Sequence, residues 1–174
     1  MRLLRAQPDN AARALELAIL CASRPGEVAG ARWCEIDFTT ATWTLPPERT
    51  KGHREHRVPL SPRAIDLLVN LPRVGEYLFV GRGDGPPHRR QLADLLRRMG
   101  YTKLTAHGFR ASFKTWAEET TQYPPHIIEQ ALAHQVGSAV ERAYRRGDLL
   151  DQRRRLMQDW ADFCDRLHAE GAHE

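Results

Sequence analysis

The sequence predicts a mainly α-helical domain carrying a small three-stranded antiparallel β-sheet, an α+β arrangement. Three observations predict it. Apolar residues recur at helical spacing near the start of the chain and over most of its second half. Between Trp33 and Leu60 the period changes to short β-type runs, "EIDF", "TWTL" and "HRVPL", separated by "TTA" and "PPERTKG". With 174 residues, 41% hydrophobic and 28% charged, the chain has the length and composition of one globular domain rather than of a disordered segment.

Each element has its own local signal. Leu15, Ile19 and Leu20, with Ala12 and Ala18, mark a first helix ending near Cys21. Pro25 suits the first turn of a short second helix through about Arg32, with Ser23 as its cap. Three antiparallel strands follow in the runs above. Ser61-Pro62 then opens a helix to about Leu71, and "VGRGDGPPHRR" is a loop rich in Gly and Pro. Further helices are expected at about 91–99, 105–121, 125–133, 138–146 and 151–168. The last carries Leu156, Trp160, Phe163, Cys164 and Leu167 on one stripe, which predicts packing into the chain's own core, with docking onto a second protomer as the alternative.

Formal net charge is +4 and the pI is near 9.2, and the positive residues cluster, so an anionic partner is expected, with nucleic acid first among them. Cys21, Cys34 and Cys164 are odd in number and widely spaced, which suggests neither a disulfide framework nor a zinc site and fits a reducing cytoplasm. Met1 to Asn10 lacks the apolar run of a signal peptide, and no apolar run approaches bilayer length. The Gly81–Gly85 loop lacks the terminal Gly-Lys-Ser/Thr of a phosphate cradle, so no nucleotide site is expected. His53 and His56 have metal-like spacing, yet Lys51, Arg54 and Arg57 surround them and no further ligands complete a site. No metal and no cofactor are expected.

The chemistry-bearing residues fall in four stretches. Arg24 stands at a helix junction with Glu27 three residues later, placed for a supporting ion pair. Arg49 to Arg57 form a basic hairpin tip that suits a phosphate backbone. Lys51 is unusual there, because only Lys51, Lys103 and Lys114 are lysines among the 26 basic residues, and lysine, unlike arginine, gives up its proton when its surroundings lower its pKa. In "TAHGFRASF", His107 and Arg110 share one face at a helix start near free N–H groups, an anion-facing arrangement. Finally "LAHQVGSAVERAYRR" sets His134 ten residues before Tyr144, whose neighbours are Arg142, Arg145 and Arg146. Tyr144 reads either as an amphipathic surface residue or as a nucleophile aimed at a phosphate.

In order, "SRPGE", "ERTKGHREHRVPLS", "HGFR", "LAH" and "AYRR" resemble the successive catalytic motifs of the tyrosine recombinases, with most similarity to the integrases of prophages and genomic islands. The resemblance runs from about Leu15 to Leu167. It implies a site-specific recombinase that cleaves and rejoins DNA through a 3′-phosphotyrosine at Tyr144. Arg24 and Arg110 would clamp the non-bridging oxygens, and His134 would add a donor. His107 would accept or relay the phenol proton or orient the site, and Lys51 would protonate the departing 5′ oxygen. Glu27 would support Arg24, while Arg49, Arg54, Arg57 and Arg145 would contact DNA.

The resemblance also implies a double-stranded DNA partner and a cytoplasmic setting in a bacterium or phage-infected cell. It implies one catalytic domain over 1–174, with the arm-binding and core-binding domains of such integrases absent, a tetramer on DNA for the full-length protein, and mainly a monomer for this domain. Arg145, where these integrases often have asparagine, and Gly147-Asp148, where a small residue and glutamate are common, depart from the pattern. Two other classes compete. A type IB topoisomerase uses similar chemistry without partner strands, and an idle helical DNA-binding module would explain the charge but has no need of Tyr144 or Lys51.

Overall fold

The computed structural model of the chain describes residues 1–81, 85–88, 90–134 and 148–166. Its elements are α1 (Arg2–Arg5), α2 (Asn10–Leu20), α3 (Pro25–Ala29), β1 (Ile36–Asp37), β2 (Thr42–Leu45), β3 (His56–Pro59), α4 (Pro62–Val69), α5 (Arg90–Arg98), α6 (Gly108–Thr120), α7 (Pro125–Ala131) and α8 (Leu150–Arg166). The fold is mainly helical with one three-stranded antiparallel sheet in the order β1-β2-β3. The helix expected at 138–146 lies outside the described residues.

Helix α2 is the centre of the core, touching α1, α3, α4, α5 and α8. Its sequence explains this: Ala12, Ala14, Leu15, Leu17, Ala18, Ile19 and Leu20 are all buried, so nearly the whole circumference is apolar. Asp9 starts it by accepting the Ala12 N–H at 2.9 Å. Glu16 is the polar exception, fully buried and surrounded by Arg5 (2.6 Å), Arg13 (3.1 Å) and Arg63 (3.2 Å), which joins α1, α2 and α4 by charge. Ser61 caps α4 as expected, accepting from the Ala64 N–H at 3.3 Å. At α3 the cap is Arg24 rather than Ser23, because the Glu27 carboxylate reaches back to the Arg24 N–H at 3.0 Å and takes the satisfying role itself. Helix α6 begins at Gly108, later than expected, since Thr105 to His107 close a turn through Gly108 N–H to the Thr105 carbonyl and hydroxyl, both at 3.0 Å.

In the sheet, Trp43 pairs with Ile36 on one side and Val58 on the other, and Leu45 pairs with His56. The Trp43 indole is buried and donates to Glu35 at 2.9 Å. Strand β3 packs against α8, which carries Leu156, Met157, Trp160 and Cys164 into the core. Trp160 meets Phe113, Trp116 and Phe163 at centroid distances of 5.4, 5.1 and 5.6 Å, and its N–H donates to the Ile19 carbonyl at 2.7 Å. The described part of the last stripe therefore packs within this chain; Leu167 lies outside the described residues. Among the described residues no helix is long and apolar enough to cross a membrane.

Candidate active site

Two helix ends build the floor of the site. Helix α2 closes with Ser23 N–H to the Ala18 carbonyl at 3.0 Å and Ala22 N–H to Ile19 at 3.1 Å, with Ala22 at φ +47°. Helix α7 closes the same way, His134 N–H to Glu129 at 2.9 Å and Ala133 N–H to Gln130 at 3.0 Å, with Ala133 at φ +52°. Both are Schellman turns with alanine at the left-handed position that glycine usually occupies. Each reverses the chain immediately before a predicted site residue, Arg24 after the first and His134 after the second. The carbonyls of Ala22 and Leu132, at the negative ends of two helix dipoles, are left facing one another's neighbourhood.

Arg110, buried in the first turn of α6, spans that gap. One Nη donates to the Ala22 carbonyl, and the other donates to the Leu132 carbonyl at 2.7 Å and lies 3.4 Å from His134 Nε2. Arg24 approaches the same Leu132 carbonyl at 3.5 Å while donating to Glu27 Oε1 at 2.8 Å. Glu27 is buried, so its carboxylate fixes Arg24 by side chain and backbone together, as the three-residue spacing predicts. Arg110 has no such counterion: among the described residues its guanidinium meets two carbonyls and the His134 ring. Burial first, then the charge of Arg24, pushes its guanidinium down to about 10, with Glu27 opposing, and it stays charged at neutral pH. Two cations sharing one carbonyl, only one of them paired, leave positive potential for an anion.

His134 is oriented from behind. Its Nδ1 lies 2.6 Å from Glu129 Oε2, and Lys114 holds the other oxygen of that carboxylate. With Nδ1–H donated to Glu129, Nε2 points at the Arg110 side of the site, as second-tier carboxylates arrange for working imidazoles.

Two further residues, which the sequence motifs do not assign to the site, lie beside it. His56, weighed only as a metal ligand, sits at the start of β3 where burial, and then the charges of Arg153, Arg24 and Arg110, push its imidazole down to about 3. Arg153, buried in α8, donates to the Arg57 carbonyl of β3. Both carried a usable signal: His56 alternates with buried Val58 along the strand, and Arg153 is in helical phase with Leu156, Met157 and Trp160.

The remaining candidates lie at the edges. Lys51 is exposed at the tip between β2 and β3, with exposed Arg54 nearby, and His107 is exposed at the start of α6. Arg57 is partly exposed and 3.4 Å from Asp148. Arg49 is drawn inward by a 3-10 turn at Pro47–Arg49 and clasps Glu35 and the Glu27 carbonyl, so its guanidinium is occupied within the fold rather than presented to DNA. Tyr144 and Arg145 lie outside the described residues.

A family model described as the phage integrase family matches residues 3–149. The chain belongs to the phage integrase family. Curated relatives agree: the prophage integrase IntA of Escherichia coli (strain K12) is 41% identical over 151 residues, covering 83% of this chain and 36% of that protein. The integrase of Shigella phage Sf6 is 35% identical, covering 83% and 39%. This member of the phage integrase family thus spans about two fifths of the length of those relatives. The integrase of mycobacterium phage Brujita has the same fold, with a TM-score of 0.69 at 22% identity, covering 89% of this chain and 53% of that one. A lambda integrase dimer bound to a COC′ core site follows with a TM-score of 0.57 at 17% identity, covering 76% and 52%. The family match contains Arg24, Lys51, His107, Arg110, His134 and Tyr144.

Proposed function

We propose that this chain is the catalytic domain of a site-specific DNA recombinase of the integrase type, breaking and rejoining DNA through Tyr144. What carries the reading is that Arg24 and Arg110 meet on the Leu132 carbonyl while His134 Nε2 stands beside the Arg110 guanidinium, in a chain of this family. Such an arrangement suits a phosphodiester in transition, whose two non-bridging oxygens gain charge and are met by preorganised donors. A neutral phenol with a pKa of about 10 is a weak nucleophile, and forming the phenolate at neutral pH costs about 4 kcal/mol, which the clamp and a proton acceptor must offset.

In this scheme the Tyr144 oxygen bonds to phosphorus and the bond to the 5′ oxygen breaks. His107 takes or relays the phenol proton, Lys51 protonates the departing oxygen, and Glu27 holds Arg24 in place. Attack by the 5′-hydroxyl of another strand reverses each step and restores the tyrosine. The phosphotyrosine keeps the energy of the phosphodiester, so no nucleotide is consumed. Exposed Arg54 and partly exposed Arg57, together with Arg145, would face the DNA backbone, and the protein would act where bacterial DNA lies. The relatives' names support integration over topoisomerase-like relaxation, and a lambda integrase tetramer bound to a Holliday junction supports assembly on DNA for the full-length protein.

The test is covalent capture. The chain is incubated with a random-sequence library of nicked duplexes, whose short cleaved strand diffuses away and traps the intermediate. Protein-linked 3′ ends with free 5′-hydroxyls are expected, and none with Tyr144→Phe, which keeps DNA binding. No adduct from the unaltered chain, or an undiminished one from Tyr144→Phe, overturns the reading.

A further inference from the structure

Arg153 is 1% exposed, and everything its guanidinium touches lies at one place. Nε donates to the Asp148 carbonyl at 2.7 Å, Nη2 is 3.2 Å from Asp148 Oδ2, and Nη1 donates to the Arg57 carbonyl of β3. The Arg57 guanidinium reaches the same Oδ2 at 3.4 Å. Asp148 Oδ1 in turn accepts the Leu150 N–H at 3.2 Å and so begins α8. Two cations and a helix start thus tie Asp148 to the residue that follows His56, whose imidazole feels Arg24 and Arg110.

Burying a guanidinium is costly, and a fold that needed only to fasten α8 to β3 would do so with apolar contacts. A polar clasp instead sets a unique geometry. Asp148 stands four residues after Tyr144, a stretch that reaches at most about 14 Å even when fully extended. The clasp therefore fixes, beside the strand that carries His56, a point of the chain within that reach of position 144 in sequence.

We propose that Arg153 is a positioning residue for the attacking tyrosine, acting by fixing Asp148, four residues after Tyr144, beside β3. The proposal rests on the reading of Tyr144 as nucleophile. Its role is to set the distance between phenol and phosphate, and a displacement of about 1 Å in such a pair slows reaction on the order of a hundredfold.

The experiment separates placement of the nucleophile from integrity of the clamp. Asp148→Asn and Arg153→Lys are compared with the unaltered chain for the rate of adduct formation on the nicked library, and for DNA binding and thermal stability. Each is also placed in a Tyr144→Phe background and supplied with hydrogen peroxide. There the hydroperoxide oxygen attacks phosphorus, the 5′ oxygen leaves as a hydroxyl, and the arginines act without the tyrosine. Adduct formation should fall about tenfold or more, while peroxide-driven cleavage stays within about twofold of Tyr144→Phe alone, because the clamp is untouched. Unchanged adduct rates for Asp148→Asn overturn the proposal, as does a parallel fall in both reactions, which marks a merely structural role. Absence of peroxide-driven cleavage with Tyr144→Phe itself counts against the clamp on which the proposal depends. Absence of any adduct from the unaltered chain removes the functional reading first, before any variant is compared.

Discussion

Arg24 and Arg110, far apart in the chain, share one acceptor: the Leu132 carbonyl lies 3.5 Å from the first guanidinium and 2.7 Å from the second. The two guanidiniums differ in what holds them. Arg24 is paired with Glu27, whereas Arg110 is held by backbone carbonyls with no carboxylate bonded to it among the described residues, which in the proposed reaction leaves its charge for the phosphate.

Arg110→Ala should therefore slow single-turnover cleavage by at least about a hundredfold, the usual cost of losing one preorganised transition-state donor. A change below about threefold would place Arg110 outside the site. Arg110→Lys should recover little, since one ammonium does not span the Ala22 and Leu132 carbonyls.

In the proposed reaction Lys51 is the acid that protonates the departing 5′ oxygen. Replacing the bridging 5′ oxygen by sulfur gives a leaving group that departs as a thiolate and needs no proton. Lys51→Ala should cleave that strand at nearly the unmutated rate while remaining slow on ordinary DNA, and Arg24→Ala should be slow on both. Equal defects of Lys51→Ala on the two strands would leave Lys51 a backbone contact.

Stability should depend heavily on Glu16, which is fully buried among Arg5, Arg13 and Arg63. Glu16→Ala leaves three guanidiniums without their shared counterion and should cost about 3 kcal/mol in denaturant unfolding. A loss under about 1 kcal/mol would class the cluster with ordinary surface pairs.

His56 predicts a pH dependence with a definite sign. Its imidazole is held at about 3, against an ordinary 6.5, by burial and by Arg153, Arg24 and Arg110. As pH falls through 6.5 the unfolded chain takes up a proton that the folded chain refuses until about 3, so stability is lost across that window and retained above it. His56→Gln should flatten the loss between those limits. An identical pH profile of unfolding for both proteins would show that His56 is not held neutral.

The left-handed alanines make a further prediction. Ala133 sits at φ +52°, a conformation that costs a residue with a Cβ about 1–2 kcal/mol, less the roughly 0.5–1 kcal/mol that glycine loses in entropy. Ala133→Gly should raise stability by up to about 1 kcal/mol, and Ala133→Val should lower it. A destabilised Ala133→Gly would mean that the turn is held by contacts of the methyl group instead.

Much of this was legible locally. The Ser61-Pro62 cap, the helical period around Leu15, the strand alternation and the three-residue spacings of Arg24 with Glu27 and His107 with Arg110 depend on neighbours in sequence, and the structure reproduces the elements within a few residues. Arg49 was not legible, because in a run of basic residues nothing local tells which one a 3-10 turn directs inward to Glu35. Nor was the burial of His56: it depends on the strand register that sets Leu45 opposite it and on the packing of α8 over β3.

The sequence by itself determined the kind and order of most described elements and singled out the residues to which the proposed phosphoryl transfer is assigned, since caps, periods and side-chain chemistry are properties of a few adjacent residues. Only the tertiary structure decided how those residues meet. The partners of Arg110 are the carbonyls of Ala22 and Leu132, which every sequence possesses at every position; it is the ends of α2 and α7, two helices that both pack on α8, that aim these two at one guanidinium. Arg153 is the same case, one arginine of three in a row until β3 and Asp148 close around it.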